Sequence, residues 1–175
     1  IRKGKPVVLE PGAPAYDEAA KLDPEGEGSV GAEIIPGTAV EVAAGVKRLT
    51  APNPGVMTGP GTNTYIIGHD RYTVIDPGPD DPVHIARILE LTGGQIDRVL
   101  VTHTHRDHSP GARSLKQETG SPLTGLPAPD GASQDSGFAP DEQPVHGEFI
   151  HTDAGLLKVI HTPGHASNHL CFLLT

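Results

Sequence analysis

The chain is poor in the residues that staple or fill most small folds: one cysteine, one methionine, no tryptophan, and only three Tyr and three Phe among 175 residues. Cys171, alone, cannot close an internal disulfide, so the main sign of a secreted scaffold is missing and a reducing, cytoplasmic setting is expected. With so few aromatics the core has to be built from Val, Ile, Leu and Ala. Positive charge is also scarce. Thirteen Lys and Arg face 22 Asp and Glu, a formal charge of −9, which argues against the clustered cations that phosphate backbones require and makes RNA a less favoured partner than a small acyl substrate. No apolar run approaches the roughly 20 residues of a membrane span, so no membrane partner is expected. What the chain has in quantity is 22 Gly and 18 Pro, which call for many turns between short elements and exclude a bundle of long helices.

The length suits one packed domain. Residues 10–33 hold seven acidic side chains against the single base Lys21, with Pro and Gly interleaved, and residues 1–37 are read as a peripheral arm. The domain proper is read as 38–175. Strand signals fall at Ala39–Val42 and Val46–Leu49 around Gly45, at Thr62–Ile67 and at Tyr72–Asp76, the last two as an antiparallel pair. A helix follows, with Asp81 as cap, Pro82 in its first turn, Ile85, Ile88 and Leu89 on one face and Gly93 as its stop. Ile96–Val101 is the next strand and Ala112–Thr119 a second helix ended by Gly120. Gly125–Gly147 is polar enough to predict a long surface connection or lid. Phe149–Thr152 and Leu156–Ile160 form a hairpin about Asp153-Ala154-Gly155, and His169–Leu174 is the final strand. Strand, helix and strand in alternation predict an α/β layer architecture.

The segment that carries chemistry is His103-Thr104-His105-Arg106-Asp107-His108, three imidazoles and a carboxylate directly behind an apolar strand. Divalent first-row metals take neutral imidazole nitrogen and carboxylate oxygen, and four such groups at the end of one strand have few other uses. His103 and His105, two apart on an extended segment, project to one side and can share an ion. Asp107 and His108 follow the turn and suit a second ion about 3.5–4 Å away. A second cluster, His161-Thr162-Pro163-Gly164-His165 running on to His169, lies between two strand signals, and its Pro-Gly turn can present His165 at the edge of the sheet. A metallohydrolase is the reading these residues favour.

With both clusters in view, His103-x-His105-x-Asp107-His108 followed by Thr162-Pro163-Gly164-His165 resembles the metallo-β-lactamase superfamily, supported by Gly61-Thr62-Asn63-Thr64-Tyr65 and Val74-Ile75-Asp76-Pro77-Gly78. Residues 38–175 carry the likeness, which is strongest to the glyoxalase-II-like and β-lactamase-like hydrolases. The resemblance implies an αββα sandwich, of which this chain carries the N-terminal portion; the family's later bridging aspartate and last histidine would lie beyond Thr175. It implies that His103, His105 and His165 bind a first zinc, that Asp107 and His108 belong to a second, with iron or manganese as alternatives, and that Asp107 also orients the nucleophile. Asp76 would brace the ligand loop, a role that metal-bound imidazoles generally require of an outer partner. His169 is read either as such a partner or as a strand-start residue, and His69, His84, His146, His151 and His161 as surface or structural. The implied activity is hydrolysis of a thioester, another ester or a phosphodiester by a metal-activated water. The alternatives are an iron-dependent oxygenase resembling persulfide dioxygenases and a catalytically inactive metal-binding fragment.

Overall fold

The structure, a computed structural model, describes residues 34–131 and 134–175. The acidic stretch 10–33, and with it nearly all of the arm read over 1–37, lies outside the described residues. In chain order the elements are β1 (Ala39–Ala43), β2 (Val46–Thr50), β3 (Asn63–Ile67), β4 (Tyr72–Ile75), α1 (Pro82–Thr92), β5 (Ile96–Leu100), α2 (Gly111–Thr119), β6 (Leu123–Thr124), β7 (Phe149–Thr152), β8 (Gly155–His161) and β9 (Leu170–Leu174).

The first six strands form one sheet in sequential order, β1 to β4 antiparallel and β4, β5 and β6 parallel; β7, β8 and β9 form a second, antiparallel sheet. Parallel pairing needs a crossover, and α1 supplies it between β4 and β5. Asp81 Oδ1 accepts from the His84 amide at 2.9 Å, Pro82 takes the first helical position, and Gly93 stops the helix in the left-handed region at φ 57°. The second helix has no side-chain cap at Pro110 and ends at Gly120, whose amide donates to the Lys116 carbonyl at 2.8 Å.

Side-chain alternation along the strands divides the core in two. Val74, Val99 and Leu123 pack with Ile85, Ile88, Ala112 and Leu115 of the helices. Ile67, Ile75 and Leu100, pointing the other way, pack with Ile150, Leu157, Val159 and Leu170 of the second sheet. The layers therefore run helices, six-stranded sheet, three-stranded sheet, the α/β arrangement expected from the strand and helix pattern. Each fully buried aliphatic side chain here, such as Ile88 or Leu157, contributes on the order of 1.5–3 kcal/mol. Among the described residues no helix is long and apolar enough to cross a membrane.

The segment predicted as a long surface connection or lid, Gly125–Gly147, is a connection without helix or strand, largely exposed among its described residues and anchored to the domain at a few points. Phe138 is buried in the helix-side core, Thr124 pairs with Glu142 in a parallel bridge, and the Asp135 amide donates to the Thr104 carbonyl at 2.7 Å. One aromatic in a polar stretch is enough to tack the connection to the core: Phe138 is buried while Gly137 and Ala139 beside it stay exposed. Strand β6, two residues long, had no periodicity to announce it.

Candidate metal centre

Strands β4 and β5 lie side by side and parallel, so their C-terminal ends emerge together, the usual place for a site in a sheet of this kind. Asp76 follows β4; the histidine loop follows β5. Within that loop the His108 and Ser109 amides both donate to the His105 carbonyl, at 2.9 and 3.3 Å, a tight turn that brings His108 back beside His103. The ring centroids of His103 and His105 are 4.6 Å apart and those of His103 and His108 4.2 Å.

His165 arrives from the other sheet, on the loop joining β8 to β9. The base of that loop is closed by the Thr162 amide on the His169 carbonyl at 2.9 Å, and the loop is fastened to the first cluster by the Leu170 amide on the Thr102 carbonyl at 2.8 Å. Buried Asn168 adds a second fastening, its Nδ2 donating to Thr104 Oγ1 at 2.8 Å and to the Pro127 carbonyl at 3.0 Å. His165 thereby stands 5.0 Å from His103 and 4.7 Å from His105, centroid to centroid.

A web of hydrogen bonds fixes which nitrogen each ring turns to the centre. Asp76 is buried and accepts from the Thr102 amide at 2.7 Å, the Thr102 hydroxyl at 2.6 Å and His108 Nδ1 at 2.9 Å. Because the Thr102 proton goes to Asp76, Thr102 Oγ1 is left to accept from His103 Nδ1 at 2.9 Å. His103 and His108 thus both point a protonated Nδ1 at this web and turn Nε2 to the centre, where His103 Nε2 faces His105 Nδ1 and His108 Nε2 faces Asp107. Bracing of this sort orients metal-binding imidazoles.

Electrostatics prepares the same groups. Burial, then the neighbouring His108, lowers the His103 pKa to about 3; burial, then His165, lowers His105. Both are neutral, ligand-ready imidazoles at physiological pH. His108 differs: burial lowers it, but the hydrogen bond and charge of Asp76 and the charge of Asp107 outweigh that and raise it overall.

The donors fit a divalent ion. His103, His105 and His165 can each aim one nitrogen so that all lie within 4.8 Å of one another, and His103 Nε2 and His105 Nδ1 are 3.0 Å apart. Two nitrogens on a tetrahedral ion, each at about 2.0–2.1 Å, stand roughly 3.3 Å apart, close to what is found. Asp107 Oδ2 and His108 Nε2, 3.4 Å apart, meet the same criterion at the adjoining position. A grouping of Asp76, His103 and His108 is equally compact, but the Asp76 oxygens are already taken by Thr102 and His108, so it serves as a brace.

All five residues singled out from the sequence come together here. Of the remaining histidines, His169 donates or accepts at Thr162 Oγ1 (2.8 Å) with its ring 5.0 Å from His103, His84 is buried under the β4 turn, and His69, His146, His151 and His161 are exposed. Sequence reasoning missed Thr102, Asn168 and Thr62, whose hydroxyl donates to Asp107 Oδ2 at 2.9 Å. The only signal for Thr102 was a hydroxyl residue adjoining the first histidine. Met57, Thr58, Gly61, Asn63 and Tyr65 frame a cavity of about 300 Å³ over Asp107 and His108.

A family model described as the Metallo-beta-lactamase superfamily matches residues 57–174. The lactamase-like protein adaB of Aspergillus niger is 34% identical over 141 residues, covering 77% of this chain and 42% of adaB. The thioesterase pkgB of Emericella nidulans is 37% identical over 134 residues, covering 74% and 37%. Among solved structures, the subclass B3 metallo-beta-lactamase BJP-1 of Bradyrhizobium japonicum superposes with a TM-score of 0.64 at 19% identity, over 80% of this chain and 57% of that one. The chain spans about two fifths of the length of these curated relatives.

Proposed function

The chain belongs to the metallo-beta-lactamase superfamily, and from that membership we propose that it is a metal-dependent hydrolase of acyl thioesters or related esters, working with two zinc ions. The observation that carries the proposal is the convergence of His103 Nε2 and His105 Nδ1, 3.0 Å apart, with His165 from the opposite sheet. His103, His105 and His165 hold the first ion, Asp107 and His108 the second. When bound, the ions supply a Lewis acid for the substrate oxygen and bring the pKa of an attacking water toward neutrality.

The chain's own groups do the rest. Thr62 pins Asp107 Oδ2, so that the carboxylate is held in one orientation and can position the water and take its proton. Asp76 and Thr102 hold the Nδ1 sides of His103 and His108, so that both rings turn Nε2 to the centre. The thioester preference is supported by the name of the relative pkgB and by the shortage of cationic residues for a polyanionic substrate.

The test is metal content alongside release of free thiol from an acyl thioester. His103→Ala and His165→Ala are expected to lose bound zinc and turnover together. Unchanged zinc stoichiometry in both variants would overturn the assignment of the first ion.

A further inference from the structure

Asp76 is the only residue other than glycine with a positive φ among the described residues, at 52°. A non-glycine residue held there is strained and persists only where its surroundings enforce it. The reason for the conformation lies in the sheet. In a regular strand the amide and carbonyl of one residue point the same way. The Asp76 amide donates to the Leu100 carbonyl of β5 at 2.9 Å, yet the Asp76 carbonyl accepts from Thr64 Oγ1 of β3, on the opposite side, at 2.6 Å. The left-handed twist is what swings the carbonyl from one neighbour to the other, and it rotates the carboxylate toward Thr102 and His108.

Thr64 is fully buried and so is His84, whose Nε2 lies 2.8 Å from the same Oγ1. Thr64 has one proton and spends it on the Asp76 carbonyl, which accepts only; His84 must therefore donate from Nε2. Its Nδ1 is then a bare lone pair with no partner among the described residues. Burial pushes the His84 pKa down to about 4, consistent with a neutral ring. The same ring fills the space under the Pro77-Gly78 turn: a Cβ on Gly78 would sit 3.3 Å from His84 Cδ2 and Nε2.

We propose that Thr64 and His84 are positioning residues that hold Asp76 in its left-handed conformation and so aim its carboxylate at Thr102 and His108. What the aim accomplishes rests on the reading of the site as a metal centre; the aim itself does not. Neither residue touches the histidine cluster directly. Their influence passes through one backbone carbonyl, from the helix layer to the ligand loop.

The experiment has two readouts on the same variants. In the metal-free protein, proton NMR of the imidazole N–H region reports the His108 Nδ1–H bonded to Asp76. Competition with a chromophoric chelator reports zinc affinity. Thr64→Val is expected to lose the Nδ1–H signal and to weaken zinc binding by about tenfold, the low end of what removing an outer partner of a metal-binding histidine does. Thr64→Ser should keep both, and His84→Gln, which retains a donor, should stay nearer the wild type than His84→Leu. Ser121→Ala, which removes a buried hydroxyl bonded to the Ile96 carbonyl elsewhere in the fold, is the control for general destabilisation. Retention of the signal and of zinc affinity in Thr64→Val overturns the proposal, as does equal loss in Thr64→Ser or Ser121→Ala. Absence of zinc uptake by the wild type would defeat the hydrolase reading, while the Nδ1–H signal still decides whether Thr64 aims Asp76.

Discussion

Thr102 occupies a joint in the site, its hydroxyl accepting a hydrogen bond from His103 Nδ1 and donating one to Asp76. Thr102→Val keeps the volume and removes both hydrogen bonds of the hydroxyl, so zinc affinity is expected to fall 10- to 100-fold, read by chelator competition. The titration of the ligands gives a second expectation. His103, with its pKa at about 3, is neutral well below pH 7 and burial lowers His105 too, whereas Asp76 and Asp107 hold a proton on His108 to higher pH. As pH falls, protons therefore compete for His108 before they compete for His103 and His105, and loss of an ion from the proposed Asp107–His108 position at the higher pH, followed by metal titrations on acidification, is the outcome to look for. The ligand motif was legible because imidazoles two apart at a strand end have a periodicity of their own. Thr102, Thr62 and Thr64 were not, since a threonine's partner depends on which strand lies beside it.

Among the elements, the turn between β3 and β4 is joined to the β7–β8 hairpin by a single carboxylate. Asp153 Oδ2 accepts from the amides of His69, Asp70 and Arg71 at 2.8, 2.8 and 3.2 Å, and the amides of Asp70, His69 and Arg71 together hold its pKa down at about 2, from an ordinary 3.8. The folded value lies below the unfolded one, so the contribution is complete above about pH 4 and disappears as pH falls through 2. Asp153→Asn is expected to flatten the acid limb of a thermal-stability profile over that range. Arg71–Asp97, Arg98–Glu142 and Lys116–Asp141 are exposed pairs, screened by solvent and of little weight in stability. Phe138→Ala should cost about 3–5 kcal/mol in denaturant unfolding, a direct check that this side chain anchors the connection after Gly125 to the core. The helix over 82–92 was readable from Asp81, Pro82 and Gly93; β6 was hidden because pairing, not pattern, makes a two-residue strand.

Across the whole molecule, the helix-side and sheet-side cores meet in one six-stranded sheet whose alternate residues serve both. The alternation of Val74 with Ile75 and of Val99 with Leu100 could be read as strand, but not which face met helices and which met another sheet. Likewise nothing local required residues 103 and 165 to converge; the stacking of the two sheets does that. The Leu170 amide, donating to the carbonyl of Thr102, is the stitch between the two sources of ligands. It can therefore serve as a clock for the site. If solvent deuterons enter at this one position far more slowly than at the loop amides around it, both halves open only when the whole domain does; rapid entry would mean that the jaw carrying His165 swings free while the rest stays shut.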